Sequence, residues 1–297
     1  MSEPLRIGVP SKGRLAELAT ELLVDAGLKF RRQNRDLFAR VKPSFGLEQP
    51  IDVTFLRTDD IPVLCAEGAI DLGITGSDLV AEAGVDEPAP DRPAIVTQLK
   101  LGLGGCRLAV CVPESSPVVS ATDLKGDRIA TSFPNVTRRY LNQSGVTGHI
   151  VELTGSVEVM IALGIADAIV DLVETGSTLA ANKLRILDTI GTYETVLVQN
   201  PATKHEALCA QIVRRCEGVV IARGYSLLEY NVPEEQLAAA EKITPGFSSP
   251  TVNRLEQPGW YAVRAMVKRG DVIGAMERLE ELGAQAILEI EIKNCRL

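Results

Sequence analysis

Residues 168–182 read AIVDLVETGSTLAAN. An apolar run of strand length, Ala168 to Val173, gives way to a turn built from one glycine and several hydroxyl side chains. A short helix, Thr178 to Asn182, follows. The same junction recurs along the first 220 residues. Runs rich in Ile and Val at Arg6 to Val9, Ile51 to Leu56, Asp71 to Thr75, Leu108 to Val112 and Ile129 to Thr131 alternate with amphipathic stretches. Those stretches fall at Arg14 to Ala26, Ile61 to Glu67, Val136 to Gln143 and Val157 to Leu163. Short apolar strands separated by helical segments specify an α/β class with a largely parallel sheet.

Working outward from that junction, the proline- and acid-rich GVDEPAPDRP at Gly84 to Pro93 and the glycine-rich GLGGC at Gly102 to Cys106 divide the α/β region into two lobes. Residues 1–101 with 190–223 are expected to form lobe I, and residues 102–189 lobe II. A helix-like stretch, Ala202 to Arg215, follows the return to lobe I. Beyond Gly224 the texture changes. YSLLEYNVP reads as a strand, Glu234 to Lys242 as a helix, Gly259 to Lys268 as part of a hairpin, Val272 to Leu282 as a helix and Ala286 to Ile292 as a last strand. That is the βαββαβ order of a ferredoxin-like unit over residues 224–297.

Length and composition fit this division. A chain of 297 residues exceeds one ordinary core, and 45% hydrophobic with 24% charged residues is the balance of a soluble globular protein. No apolar run reaches the ~20 residues a bilayer span requires, and no signal-like segment precedes the first strand. A cytoplasmic location is expected. The net charge of −8 argues against nucleic-acid binding. Six cysteines lack the spacings of a zinc site or a disulfide scaffold, so they read as reduced core residues.

An acidic chain that binds anions must use local devices. Thr-Gly-Ser occurs three times at strand-to-helix junctions, at Thr75–Ser77, Thr154–Ser156 and Thr175–Ser177. Helix capping explains the first two. The third differs because Asp171 interrupts its strand and Glu174 follows it. A carboxylate at a strand end costs several kcal/mol to bury unless something pairs with it. Directly after it, Thr175, Gly176, Ser177 and Thr178 offer hydroxyls and backbone N–H groups suited to a phosphate. An acid for sugar hydroxyls beside a cradle for phosphate outlines a sugar-phosphate site. Lys12 and Arg14 in PSKGR, Arg57 in LRTDDIP, and Arg138 and Arg139 are the candidate cations. Lys12 and Arg57 lead, because they follow strands at the edge where open α/β sheets bind ligands. The chain has neither a GxxxxGK[ST] loop nor a GxGxxG after a strand, and its two histidines are isolated. Catalysis by positioning and electrostatics is the expectation.

The span Glu158 to Leu179, EVMIALGIADAIVDLVETGSTL, resembles the signature of the ATP phosphoribosyltransferases. So do PSKGRL at Pro10 to Leu15, RTDDIP at Arg57 to Pro62, DLGITG at Asp71 to Gly76, RIATSFPN at Arg128 to Asn135 and ITPGFSSPT at Ile243 to Thr251. The resemblance implies a glycosyltransferase that joins N1 of ATP to C1 of phosphoribosyl diphosphate and releases diphosphate, with Mg2+ present. It places Glu174 to Thr178 on the 5-phosphate and Asp171 on the ribose hydroxyls. Lys12 and Arg57 would face the diphosphate or the ATP phosphates, Asp71 and Gly76 the nucleotide, and Glu158 belongs to the same substrate set.

The terminal domain is similar to the ACT-like regulatory domain of the family's long form. That likeness implies feedback inhibition by histidine near Asn231, Ser249, Thr251 and Ala286, and a homo-oligomer between dimer and hexamer. Relatives can carry an acid where Asn231 stands, and Glu229 is the candidate substitute for it. The implied core, two lobes about a cleft, is also the architecture of type II periplasmic binding proteins, so a binding protein is the rival reading, with a stand-alone amino-acid sensor the second.

Overall fold

The computed structural model describes residues 3–33, 36–44, 46–90 and 92–296. Two compact units make up the chain: Met1–Thr20 with Lys29–Val213, and Glu21–Leu28 with Arg214–Leu297.

In chain order the first unit opens with β1 (Leu5–Pro10), the start of α1 (Arg14–Asp25), β2 (Phe38–Arg40), β3 (Ile51–Leu56), α2 (Asp60–Ala66), β4 (Leu72–Gly76), α3 (Ser77–Ala83) and β5 (Val96–Lys100). It continues with β6 (Cys106–Pro113), β7 (Arg128–Thr131), α4 (Pro134–Gln143), β8 (His149–Glu152), α5 (Val159–Ala162), β9 (Ala168–Val173), α6 (Ser177–Ala181) and β10 (Leu184–Tyr193). Then come β11 (Thr195–Gln199) and the start of α7 (Glu206–Arg223). One sheet has the order β2-β3-β1-β4-β11-β5 and the other β10-β6-β9-β7-β8. The chain therefore passes between sheets after Lys100 and returns after Tyr193.

The expected α/β class holds. In lobe I, β1 runs parallel to β3 and β4, while β11 and β5 return antiparallel. In lobe II, β7 is parallel to β8 and β9, while β6 and β10 are antiparallel. The apolar runs are continuous because both faces of the second sheet are covered. Leu108, Val110, Ile129, Ala168 and Val170 join one core cluster. Ala109, Cys111, Ala130, Ile169 and Val173 join the other.

The strands read from sequence stand within two residues of their observed ends. The unread strands are short or irregular: β2 has three residues, and β10 carries register shifts at Ile186/Asp188 and Thr189/Gly191 that break its period. Helix α7 begins four residues later than Ala202 and ends eight later than Arg215. Its internal Gly218 looks like a stop signal. It is instead where Cys295 packs: the Cys295 amide donates to the Gly218 carbonyl at 3.1 Å, and a Cβ on Gly218 would lie 2.3 Å from the Cys295 carbonyl oxygen.

In the second unit, β12 (Tyr225–Pro233), α8 (Leu237–Ile243), β13 (Thr251–Arg254), β14 (Trp260–Lys268), α9 (Val272–Glu281) and β15 (Gln285–Glu291) form one sheet of order β13-β14-β12-β15. Every pairing is antiparallel. Sequence order and sheet order together are those of a ferredoxin-like βαββαβ fold. Alternate residues Leu228, Tyr230 and Val232 of β12 face Ala240, Ala275 and Leu279 in its core. No cysteine is bridged among the described residues, and burial pushes the Cys65, Cys111 and Cys209 thiols up to about 12.

Candidate active site

A cavity of about 840 Å³ lies in the first unit where both sheets contribute residues. Lobe I supplies Arg14, Thr58, Gly76 and Asp78 to its wall; lobe II supplies Cys106, Leu172 and Glu174. The two chain crossings are tied together beside it. Glu194 accepts from the Gly102 amide at 3.1 Å and pairs with Lys100 at 3.4 Å, while Ser77 and Glu194 exchange two hydrogen bonds of 2.9 and 3.0 Å.

The third Thr-Gly-Ser behaves differently from the first. In the first, the Thr75 hydroxyl donates to the Thr58 carbonyl at 3.0 Å and the Ser77 hydroxyl accepts from Glu194, so both are occupied. In the third, Glu174, Thr175, Ser177 and Thr178 are exposed. Gly176 takes a left-handed conformation, φ 81° and ψ 1°, at the start of α6. That conformation costs any other L residue roughly 1–2 kcal/mol. Thr175 and Ser177 hydroxyls lie 3.1 Å apart, close enough to share one ligand oxygen.

Asp171 is the fourth residue of β9, opposite Ala109, on the face that also carries Ile169 and Val173. Among the described residues, its side chain receives only the Leu172 amide, at 2.8 Å. Burial raises its pKa above the usual carboxylate range; the Leu172 amide lowers it and the Glu158 charge raises it further. The Glu158 charge thus acts on Asp171 within lobe II.

Lys12 is exposed on the loop between β1 and α1. That loop is anchored by Arg32, which lies 4.1 Å from the centre of the Phe55 ring and donates to the Ser11 carbonyl at 2.7 Å. Arg57 follows β3, is highly exposed, and pairs with Asp59 at 3.3 Å. Arg138 and Arg139 are engaged elsewhere: Arg138 bonds Asn135 at 2.8 Å, and Arg139 bonds the Ala81 carbonyl at 2.6 Å. Gly76 and Glu174 line the cavity together; Lys12, Arg57, Asp171 and Glu158 do not line it.

Asp71 stands apart from that group. It precedes β4, and its carboxylate accepts from the Arg6 amide at 2.8 Å and from the Thr203 hydroxyl. Gly76 ends the same strand, roughly 16 Å away at the usual rise per residue.

Four residues were given no site role from sequence. Asp78, 8% exposed, has a pKa raised by burial and lines the cavity. Glu194 lines it too, and nothing in the pattern of apolar residues marks a crossover. Ser156, in the second Thr-Gly-Ser, has φ 52°, an uncommon value for a residue with a side chain, and sits two residues before Glu158. Cys106 also faces the cavity; burial first, then Asp78 and Glu174, push its thiol up to about 11.

In the second unit, Thr251 pairs with Arg264, which pairs with Glu229. Asn231 lies in the next row, opposite Ala262. Glu229 is held by Arg264 at 2.7 Å, so it is already neutralised. Ala286 has φ 51°, beside the register shift between Glu229 and Asn231. Ser249 is exposed.

Comparison with known proteins decides the family. The ATP phosphoribosyltransferase family model matches residues 57–218, and a model described as the HisG C-terminal domain matches residues 222–294. The chain belongs to the ATP phosphoribosyltransferase family. An ATP phosphoribosyltransferase of Rhodopirellula baltica is 60% identical over 293 residues, 99% of this chain and 94% of that protein. One from Schizosaccharomyces pombe is 39% identical over 310 residues, covering 100% of this chain and 98% of its own length. A solved ATP phosphoribosyl transferase (HisG:HisZ) complex from Thermotoga maritima superposes with a TM-score of 0.59 at 30% identity, covering 72% of this chain and 98% of that one. The protein is accordingly a phosphoribosyl-transferring enzyme. No helix among the described residues is long and apolar enough to cross a membrane.

Proposed function

We propose that this ATP phosphoribosyltransferase transfers the phosphoribosyl group of phosphoribosyl diphosphate to N1 of ATP, the first step of histidine biosynthesis in the cytoplasm. The observation that carries the reading is the left-handed Gly176 loop, with its exposed Thr175, Ser177 and Thr178 hydroxyls, which begins three residues after a half-buried Asp171 that forms no ion pair among the described residues. The loop takes the 5-phosphate. Asp171 accepts from the ribose hydroxyls, which supply the pairing its burial calls for.

In the reaction the N1 lone pair of adenine forms a bond to C1 of the ribose while the C1–O bond to diphosphate breaks. The attacking nitrogen carries no proton, so a strong general base is not required. Orientation and stabilisation of the departing diphosphate supply the rate. Lys12 and Arg57, exposed after β1 and β3, meet that developing charge, and Gly76, on the cavity wall, stands near the nucleotide.

Carboxylates outnumber cations on the cavity wall, where Asp78, Glu174 and Glu194 stand against Arg14. Two polyanionic substrates in such a site call for a divalent counter-ion. Mg2+ is commonly held by one or two carboxylates together with substrate phosphates, and Asp78 and Glu174 on that wall are the carboxylates that would hold it. When bound, the ion neutralises the leaving diphosphate.

For regulation, the strained Ala286 backbone beside Asn231, with Ser249 and Thr251, is the proposed histidine site of a homo-oligomer of dimers to hexamers. Incubation with ATP, phosphoribosyl diphosphate and Mg2+ should produce a new ultraviolet-absorbing adduct and stoichiometric diphosphate. Absence of both at saturating substrate would overturn the reading.

A further inference from the structure

The second unit has a cavity of about 980 Å³ that none of the proposed histidine-site residues lines. It lies among the start of β12, the end of α8, the end of β14 and α9. Lys242, Lys268 and Arg278 line it, and so does Asp271. In a chain of net charge −8 this is a local excess of two positive charges. Eight of the nine ion pairs found between described residues involve arginine, and none involves these three cations. Among the described residues the Arg278 side chain makes one hydrogen bond, from Nε to the Gly274 carbonyl at 3.0 Å, which leaves its terminal nitrogens unengaged.

The same cavity has an aromatic wall. Tyr225 and Phe247 meet edge to face, ring centres 6.3 Å apart at 77°, and both line the cavity. Phe247 is 54% exposed. An exposed phenylalanine held by a second ring is suited to stacking a flat ligand ring. Cations gathered nearby suit a dianionic phosphate, for which arginine is the preferred bidentate donor.

We infer that this cavity is a second ligand site of the C-terminal unit, for an organic phosphate with a flat aromatic ring, such as a nucleoside monophosphate. The phosphate sits among Lys242, Lys268 and Arg278. The ring sits against Phe247 and Tyr225. The inference does not depend on the histidine reading, which concerns other residues.

The test uses pyridoxal 5′-phosphate on the full-length protein. Its aldehyde carbon condenses with a lysine Nζ, water leaves, and borohydride adds hydride to the resulting C=N bond, fixing the label for peptide mass spectrometry. Mapping by peptide separates this cavity from any labelling at Lys12. Lys242 or Lys268 should label at least about tenfold faster than the exposed Lys293 and with saturation. Unphosphorylated pyridoxal should lose that preference, and so should Arg278→Gln; Lys268→Met, read at Lys242, provides a second variant.

Adenosine monophosphate should protect at least about tenfold better than inorganic phosphate at equal concentration, and Phe247→Ala should abolish that difference. Labelling of Lys242 and Lys268 no faster than Lys293 would overturn the site. Equal protection by inorganic phosphate and adenosine monophosphate would overturn the assignment of the aromatic wall to a ligand ring.

Discussion

Replacing Asp171 by asparagine should weaken catalysis while leaving the fold as stable as before, or more so. The side chain is half-buried, receives one amide hydrogen bond and faces the Glu158 charge rather than a cation. Burial raises its folded pKa above the unfolded value. The charged form is therefore the one the fold disfavours. The penalty is absent below the unfolded pKa, grows as pH rises through the folded pKa and is fully present at neutral pH. Removing a partly desolvated, unpaired charge should thus raise stability at pH 7 by on the order of 1 kcal/mol, with little change near pH 3.

Substrate binding should move the other way. Hydrogen bonds to a charged acceptor are worth about 1.5–3 kcal/mol, which is roughly 10- to 150-fold in kcat/KM for phosphoribosyl diphosphate. Asparagine keeps one acceptor oxygen, so Asp171→Ala should lose more. Urea denaturation at pH 7 and pH 3, with initial rates at varied phosphoribosyl diphosphate, reads both quantities. A stability loss of about 1 kcal/mol or more at pH 7 with unchanged kinetics would refute the reasoning, because the acid would then serve the fold.

Gly176→Ala meets no atom within 4 Å, so its cost is conformational alone. About 1–2 kcal/mol of backbone strain should appear as loop disorder and a KM for phosphoribosyl diphosphate raised on the order of tenfold, measured by steady-state kinetics. Glu82, on α3, accepts the Asn135 and Val136 amides at 2.9 Å each and so caps α4 of the other lobe. Glu82→Ala should cost about 1–2 kcal/mol in chemical denaturation. Arg128, chiefly through its side-chain hydrogen bond, holds Asp167 at about 2. Its contribution is present above the unfolded pKa near 4 and lost as pH falls toward 2. Because both side chains are about two-fifths exposed, Asp167→Asn should cost less than ~1 kcal/mol at pH 7 and nothing near pH 2. Asn231→Asp should strengthen histidine inhibition on the order of tenfold, by a charge-assisted hydrogen bond to the amino acid, read as the shift in half-inhibitory concentration.

Local chemistry in the sequence was enough for the α/β class, the βαββαβ unit and the unusual character of residues 171–178. A buried sheet needs continuous Ile and Val runs, an amphipathic helix needs its own period, and an acid inside a strand stands out against both. These signals involve residues close together in the chain. Tertiary structure decided which of the residues meet. Glu194 joins Gly102 and Ser77 across 92 and 117 residues, and Asp78 becomes a buried cavity acid although it reads as an ordinary first-turn carboxylate. Asp71 shows the converse: five residues from Gly76, it lies at the other end of the strand, its carboxylate taken by Arg6 and Thr203. The three cations of the C-terminal cavity come from α8, β14 and α9. Their grouping is a property of how those elements pack, because charge repulsion and ligand affinity depend on distance in space, which spacing along the chain does not encode.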